Sequence, residues 1–403
     1  MPKIPIGIPC LLQAPLFANI IKGSFLSRPN RFVIHCVTDD GFVEAYLPNP
    51  GRLWELLLPG RIVYLVKKTP EKSAKLAYIA VAVERDGMPV LLHTHMSNAV
   101  AARLIETERI PGLEGASIVK AEATVGRSRF DFLLERSGRP FYLEVKSCTL
   151  FGRRIAMFPD AVTLRGKRHM EELADLSRQG TLCGIVFLVH WPRADFFLPD
   201  YHTDLDFALT FKEMRSQLFI KALSLQWQPD LSLSEKVCEI SIPWGIIEGE
   251  AKDSGSYIIM LHIAEDLNLT VGSLGALHFP EGYYLYVGTA RRALTKRMER
   301  HLRKNKTLNW HIDYLRPYAD RCMAIPIRAS APLEHDLAKA LQDIADWAVP
   351  SFGSSDCNCL SHLFGFRNNP LHFQPFIHLL QYFRIDRLEK EIDAFGSLRQ
   401  QYP

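Results

Sequence analysis

Residues 128–147, SRFDFLLERSGRPFYLEVKS, carry the side chains best spaced to do chemistry. In the first half Phe130, Phe132 and Leu134 alternate with Arg129, Asp131 and Leu133. In the second, Phe141, Leu143 and Val145 alternate with Tyr142, Glu144 and Lys146. A period of two predicts paired strands with one apolar and one mostly polar face, and Ser137-Gly138 reads as the hairpin turn between them. A symmetric loop centred there pairs positions whose numbers sum to 275 (137 + 138), which sets Asp131 opposite Glu144. Two carboxylates facing each other across an antiparallel pair have Cβ atoms roughly 4.5–5.5 Å apart and destabilise the sheet unless a cation lies between them. Mg²⁺ or Mn²⁺, which prefer oxygen ligands, would resolve that conflict. Lys146 projects from the same face as Glu144 and can polarise a water or stabilise charge developing on a phosphorane. The same residues alone also suit a solvated strand face with a Glu/Lys ladder.

The Asp…Glu-x-Lys pattern resembles the active site of the PD-(D/E)XK nuclease superfamily. Residues 148–172, CTLFGRRIAMFPDAVTLRGKRHMEE, are similar to the sugar fermentation stimulation protein family, as are PNRF (29–32), LPNPGRLWELLLPG (47–60) and SRFDF (128–132). The resemblance covers about the first 225 residues. It implies an OB-fold-like part followed by a nuclease-like core, in proteins described as DNA-binding. Such cores often add a third acid ahead of the first carboxylate, and Glu122 can take that role or be a surface glutamate.

Positioning elements follow from local signals. Residues 97–109 read as a helix with Ser97 as its cap and Pro111-Gly112 as its stop. Thr163 reads as the N-cap of a helix over 164–179, whose first turns carry Arg165, Lys167, Arg168 and His169. That is the wrong sign for a helix N-terminus unless an anion binds there, and a phosphate is the natural anion; a solvated basic face is the alternative. Residues 182–191, TLCGIVFLVH, predict a strand buried on both faces. Upstream, short strand-like runs at Arg31 to Thr38, Phe42 to Leu47, Arg61 to Lys67 and Leu76 to Val83 predict a small barrel. Arg28, Arg31 and Arg52 border its turns and are expected exposed, as nucleic-acid contacts. Phe32, Phe42 and Tyr46 can stack on bases, but fit the barrel core better.

The 403 residues suggest two to three domains. Hydrophobic content of 47% and charged content of 23% describe an ordinary globular protein. A net charge of +4 is mild, so nucleic-acid affinity has to come from local patches. Pro2, Pro5, Pro9 and Pro15 break the apolar N-terminus as a signal-type helix, and no stretch approaches the ~20 apolar residues of a membrane span. Eight scattered cysteines suggest a reducing cytoplasm.

Residues 226–254 lose periodicity and read as a linker. Beyond them GSYIIMLHI (255–263) and GYYLYVGTA (282–290) resemble the two half-motifs of the GIY-YIG nuclease superfamily, in particular a small family of undefined function, over about 255–385. The resemblance implies roles for Tyr257 and Tyr286, for Arg297 at the scissile phosphate, and for Glu334 as the Mg²⁺-binding glutamate. Departures from the half-motifs and the lack of a placeable terminal asparagine put cleavage there in doubt more than binding. Arg297, Arg300 and His301 lie in the most basic helix of the chain and are expected to track phosphates. His311 and Asp313, and a Cys357-x-Cys359-x-x-His362 cluster, also match that small family. Three borderline-soft ligands in one loop suit zinc, though not at a standard finger spacing; buried cysteines with a hydrogen-bonded histidine are the alternative.

The expected architecture is therefore multidomain, α/β and α+β. An OB-like barrel (1–90) precedes a PD-(D/E)XK core (91–225), the linker, a GIY-YIG-like domain (255–385) and a tail (386–403). The expected activity is metal-dependent phosphodiester cleavage in DNA, with a non-catalytic DNA-binding regulator on the same scaffold as its rival. No Walker loop or Rossmann fingerprint supports a small-molecule phosphate enzyme.

Overall fold

A computed structural model describes residues 14–68, 76–126 and 128–401, the side chains of 395–401 excepted. Pro2, Pro5 and Pro9 lie outside the described residues. The chain forms two compact units, one of residues 1–200, 206–247 and 392–403, the other of 201–205 and 248–391.

The first unit begins with β1 (Ile20–Asn30), β2 (Val33–Thr38), β3 (Gly41–Tyr46), β4 (Ile62–Lys67), β5 (Tyr78–Arg85) and β6 (Met88–Leu91). The order β3-β2-β1-β4-β5, closed by a parallel β3–β5 pairing, makes a five-stranded barrel, and β6 pairs with β5. Ile34, Cys36, Ala45, Val63, Leu65 and Val81 are buried. Phe32 and Phe42 are 45% and 60% exposed, against the core expectation. Phe42 pairs with Val37, itself exposed, so alternation puts both outside, while the buried positions of β2 and β3 include the small Cys36 and Ala45.

A six-stranded sheet follows, from β7 (Ser117–Val125), β8 (Ser128–Arg136), β9 (Arg139–Cys148), β10 (Leu182–Val189), β11 (Phe219–Trp227) and β12 (Leu233–Glu239), ordered β12-β11-β10-β9-β8-β7. β9, β10 and β11 run parallel and the other pairings are antiparallel. Val100, Ala101, Leu104 and Ile105 of α1 (Ser97–Glu106) share a core with Phe132, Leu134, Leu143 and Val145. α2 (Leu164–Arg178) packs on β10 with Met170, Leu173 and Ala174 buried, and Glu144, which alternates with Leu143 and Val145, meets its His169. This is a restriction-endonuclease-like sandwich.

Three local expectations are corrected here. Ser97 is the buried first residue of α1, and its hydroxyl caps nothing; Met96 occupies the cap position. Residues 226–254 are not a linker, because they hold β12 and the helix Trp244–Glu250. Among the described residues β12 pairs with β11 alone and leaves most of its residues half-buried or exposed, which is why its sequence is polar and its period weak. The expected tail is also largely helical, over Leu388–Gln401.

The second unit is built on β13 (Gly255–Ile263), β14 (Gly282–Ala290), β15 (Arg321–Arg328) and β16 (Leu363–Phe366), ordered β15-β13-β14-β16 with Trp347–Ala348 at the edge. α3 (Leu294–Leu302) follows β14, and α4 (Glu334–Gln342) follows β15. Among the described residues no helix is long and apolar enough to cross a membrane.

Candidate functional site

Ser137 and Gly138 have φ of 53° and 73°, the left-handed pair that a two-residue type I′ turn requires, and Arg136 faces Arg139 across it. The ladder then runs to Phe132 opposite Leu143. One step further, Asp131 accepts the Val145 amide on Oδ2 at 2.7 Å, so a carboxylate stands where the ladder ends. Its Oδ1 accepts from Asn98 Nδ2 at 2.8 Å. Glu144 is 4% exposed, and its Oε1 accepts from Lys146 Nζ at 2.7 Å and from His169 Nδ1 at 2.8 Å. Its Oε2 is buried and has no hydrogen-bond partner among the described residues.

The electrostatics of the two acids diverge. Burial pushes the Asp131 carboxyl up, and the neighbouring Glu144 adds to that. Burial acts on Glu144 in the same direction, but Lys146 and His169 outweigh it and hold that carboxyl below its ordinary value. A buried and a half-buried acid with one uncommitted oxygen form a donor set that suits a hard divalent cation. Arg165 Nε donates to His169 Nε2 at 3.3 Å, which leaves the proton on Nδ1 and directs it at Glu144. Thr163 caps α2 by accepting from Gly166 N at 3.0 Å. Glu122 has φ 53° and is exposed, with Oε2 3.5 Å from Arg129, so it does not join Asp131 and Glu144.

The expected basic contacts separate into two groups. Arg31 and Arg165 are exposed, and Val162 and Leu164 beside Arg165 are 65% and 78% exposed. Lys167 and Arg168 stand within 4.0 Å and 3.9 Å of Glu171 and Glu172 one turn on. Arg28 is not a surface cation as expected, since its guanidinium donates to the carbonyls of Arg31, Asn49 and Arg52. Arg52 is likewise committed, donating to the Asp160 carbonyl at 2.8 Å and lying 3.7 Å from Asp200. Chain reversals leave carbonyls without ladder partners, and these arginines satisfy them.

In the second unit Tyr257, Tyr286, Arg297, Trp310, His311, Glu334, Gly353 and Asp356 are among the residues lining a cavity of about 360 Å³. Tyr257 crosses Gly288 on the neighbouring strand, where an added Cβ would lie 2.4 Å from the phenol oxygen. Burial pushes both phenols well up, so they stay protonated at neutral pH. The Arg297 guanidinium lies 5.1 Å from the Trp310 ring centre. His301 and Arg300 depart from the expected phosphate-tracking stripe. His301 is 1% exposed and bonds the Tyr257 hydroxyl through Nε2 at 2.9 Å, whereas Arg300 pairs with buried Asp313 at 3.0 Å. Cys357, Cys359 and His362 converge, and His335 joins them.

The family models for the sugar fermentation stimulation N-terminal OB domain and RE domain match residues 26–92 and 95–230. A sugar fermentation stimulation protein homolog from Methanothermobacter thermautotrophicus is 38% identical over 198 residues, 49% of this chain and 82% of that protein. The chain belongs to the sugar fermentation stimulation protein family. A Pyrococcus furiosus homolog is 37% identical over 216 residues, 53% of this chain and 91% of its own. The structure of Pyrococcus furiosus SfsA in complex with Ca²⁺ aligns with a TM-score of 0.53 and 32% identity, over 57% of this chain and 98% of that one. Residues 256–384 match a separate model, a domain of unknown function named DUF123.

Within this sugar fermentation stimulation chain, three supporting residues at the hairpin site escape sequence reasoning. His169 is legible only as one more basic residue, although its spacing of four from Arg165 is the signal that both share a helix face. Asn98 carries no local signal. Buried His190, pushed down to about 3 by desolvation, accepts from Trp227 Nε1 on Nδ1 and so donates from Nε2 to Ser147, next to Lys146.

Proposed function

We propose that the first unit binds nucleic acid, DNA in the first instance, and cleaves its phosphodiester backbone at Asp131, Glu144 and Lys146. The observation that carries this reading is the uncommitted, buried Glu144 Oε2 beside Asp131 and within reach of the Lys146 ammonium. Asp131 and Glu144 would hold Mg²⁺ or Mn²⁺, which when bound neutralises phosphate charge and acidifies a water. Ca²⁺, another hard divalent ion, accompanies the Pyrococcus furiosus structure. Lys146 stabilises the charge that develops on the phosphorus oxygens. Arg165 clamps a phosphate at the start of α2, and His169 and Asn98 orient the two carboxylates. Exposed Phe32 and Phe42 with Arg31 offer bases a stacking surface on the barrel.

The second unit adds a phosphate-binding cavity. Arg297 would bind the phosphate, Tyr257 and Tyr286 donate to its oxygens, and Glu334 holds a second divalent ion. Its buried, protonated phenols fit hydrogen-bond donation better than general-base work. The test is Mn²⁺- and Mg²⁺-dependent cleavage of a panel of duplex, single-stranded and branched DNA and RNA. Wild type should cut at least one substrate, Asp131→Asn and Glu144→Gln should lose cleavage and metal binding, and Lys146→Ala should keep metal binding while losing turnover. Binding without cleavage across the whole panel would favour the non-catalytic regulator.

A further inference from the structure

α4 opens with Glu334 and His335, while the loop before β16 carries Cys357, Cys359 and His362. One ligand atom from each of His335, Cys357, Cys359 and His362 lies within 4.8 Å of all the others. Two separations are shorter, with Cys357 Sγ 3.4 Å from His362 Nε2 and Cys359 Sγ 3.4 Å from His335 Nδ1. A tetrahedral zinc with bonds of about 2.3 Å to sulfur and about 2.0–2.1 Å to nitrogen needs sulfur–nitrogen edges of about 3.6 Å. The two short separations are already close to that length, and modest rotamer shifts close the remainder. Two thiols and two imidazoles with no oxygen donor select zinc over magnesium or calcium, and four protein ligands make a closed, structural site.

A second observation comes from the far side of one ligand. His362 is 2% exposed, and its Nδ1 has no hydrogen-bond partner among the described residues. That nitrogen lies 3.4 Å from Glu334 Oε1. An imidazole bound to a metal through Nε2 carries its proton on Nδ1 and donates it to a carboxylate, the usual arrangement around protein-bound zinc. We propose that His335, Cys357, Cys359 and His362 bind one zinc ion, and that His362 directs Glu334 into the cavity. The ion joins the first turn of α4 to the loop that supplies Gly353 and Asp356 to the cavity wall. Zinc binding stands apart from the nuclease reading; only the role of Glu334 rests on it.

The experiment uses the full chain. Metal analysis after refolding with zinc should find one equivalent of zinc. Cobalt titration of the metal-free chain should give intense tetrahedral d–d bands and a thiolate charge-transfer band, both abolished on adding zinc. Cys359→Ser should remove much of the charge transfer, and Cys322→Ser, whose thiol lies outside the cluster, should leave the spectrum unchanged. Glu334→Ala should weaken zinc binding about 10–100-fold while keeping the tetrahedral bands. A folded wild-type chain with no stoichiometric zinc, or with Cys357 and Cys359 joined in a disulfide, overturns the site whatever the variants do. Undiminished zinc affinity in Glu334→Ala overturns the link to Glu334. Absence of cleavage bears on neither result.

Discussion

Replacing Lys146 with methionine should strand a buried charge. The ammonium lies 2.7 Å from Glu144 Oε1, and that carboxylate is 4% exposed. At an effective dielectric of about 20, the gross attraction is about 6 kcal/mol. Much of it repays desolvation, and His169 keeps its hydrogen bond to the same oxygen. Removing one partner of a buried pair typically costs about 3–5 kcal/mol, and the lower figure applies because Lys146 retains some access to solvent. A chain of two units does not unfold as one transition, so amide exchange along β8 and β9 is the appropriate assay. A loss of about 3 kcal/mol speeds exchange roughly a hundredfold. Adding Glu144→Gln removes the stranded charge and should restore most of the protection, giving a coupling of about 2 kcal/mol between the two sites. Exchange quickened less than about tenfold in Lys146→Met, or equally fast in the double variant, would refute the pairing as an energetic unit.

Arg165→Ala should flatten the salt dependence of DNA binding by about 0.9 in log–log slope for each phosphate that is no longer neutralised. Arg28→Ala should leave that slope alone and lower stability, and the opposite pattern would reverse the two assignments. Phe42→Ala should weaken single-strand binding by about 1–3 kcal/mol at an unchanged melting point; equal affinity in a fluorescence titration would remove the barrel face from the interface. Buried Asp160 is pushed up to about 6, first by desolvation and further by Glu55 and Asp200 against the opposing pull of Arg52. A raised carboxyl contributes stability below its unfolded value of about 3.9, and that contribution disappears as pH rises through about 6. Asp160→Asn should therefore gain on wild type by up to about 3 kcal/mol between about pH 4 and pH 7, and amide-exchange protection in the first unit that keeps the same offset from wild type across that range would contradict this.

The hairpin is legible in the sequence because alternation and turn chemistry are local, so two residues of turn are enough to pair Asp131 with Glu144. Glu122 misleads because the register does bring it beside Asp131, yet its left-handed backbone turns the side chain toward Arg129. Cations bordering turns read as exposed in sequence, but Arg28 and Arg52 answer unpaired carbonyls that no pattern displays. The same holds for His301 and Arg300, since the partners that claim them, Tyr257 and Asp313, lie on other elements. His335 stands apart from the Cys357 loop in the chain, and only the fold brings it there. Hydrophobicity points Phe42 inward, where its strand parity is the better guide.

The Ser137-Gly138 turn makes the chemistry of the first unit a question of counting. Any dipeptide that tolerates two left-handed residues would serve there, so the letters of the turn are replaceable. Its length is not. One inserted residue would slide β9 by a single place, sending Glu144 and Lys146 into the packing of α1 and turning Leu143 and Val145 toward His169 of α2. The damage would be all-or-none, because the two faces exchange together. Relatives that keep this site should therefore gain or lose residues between Asp131 and Glu144 only in pairs.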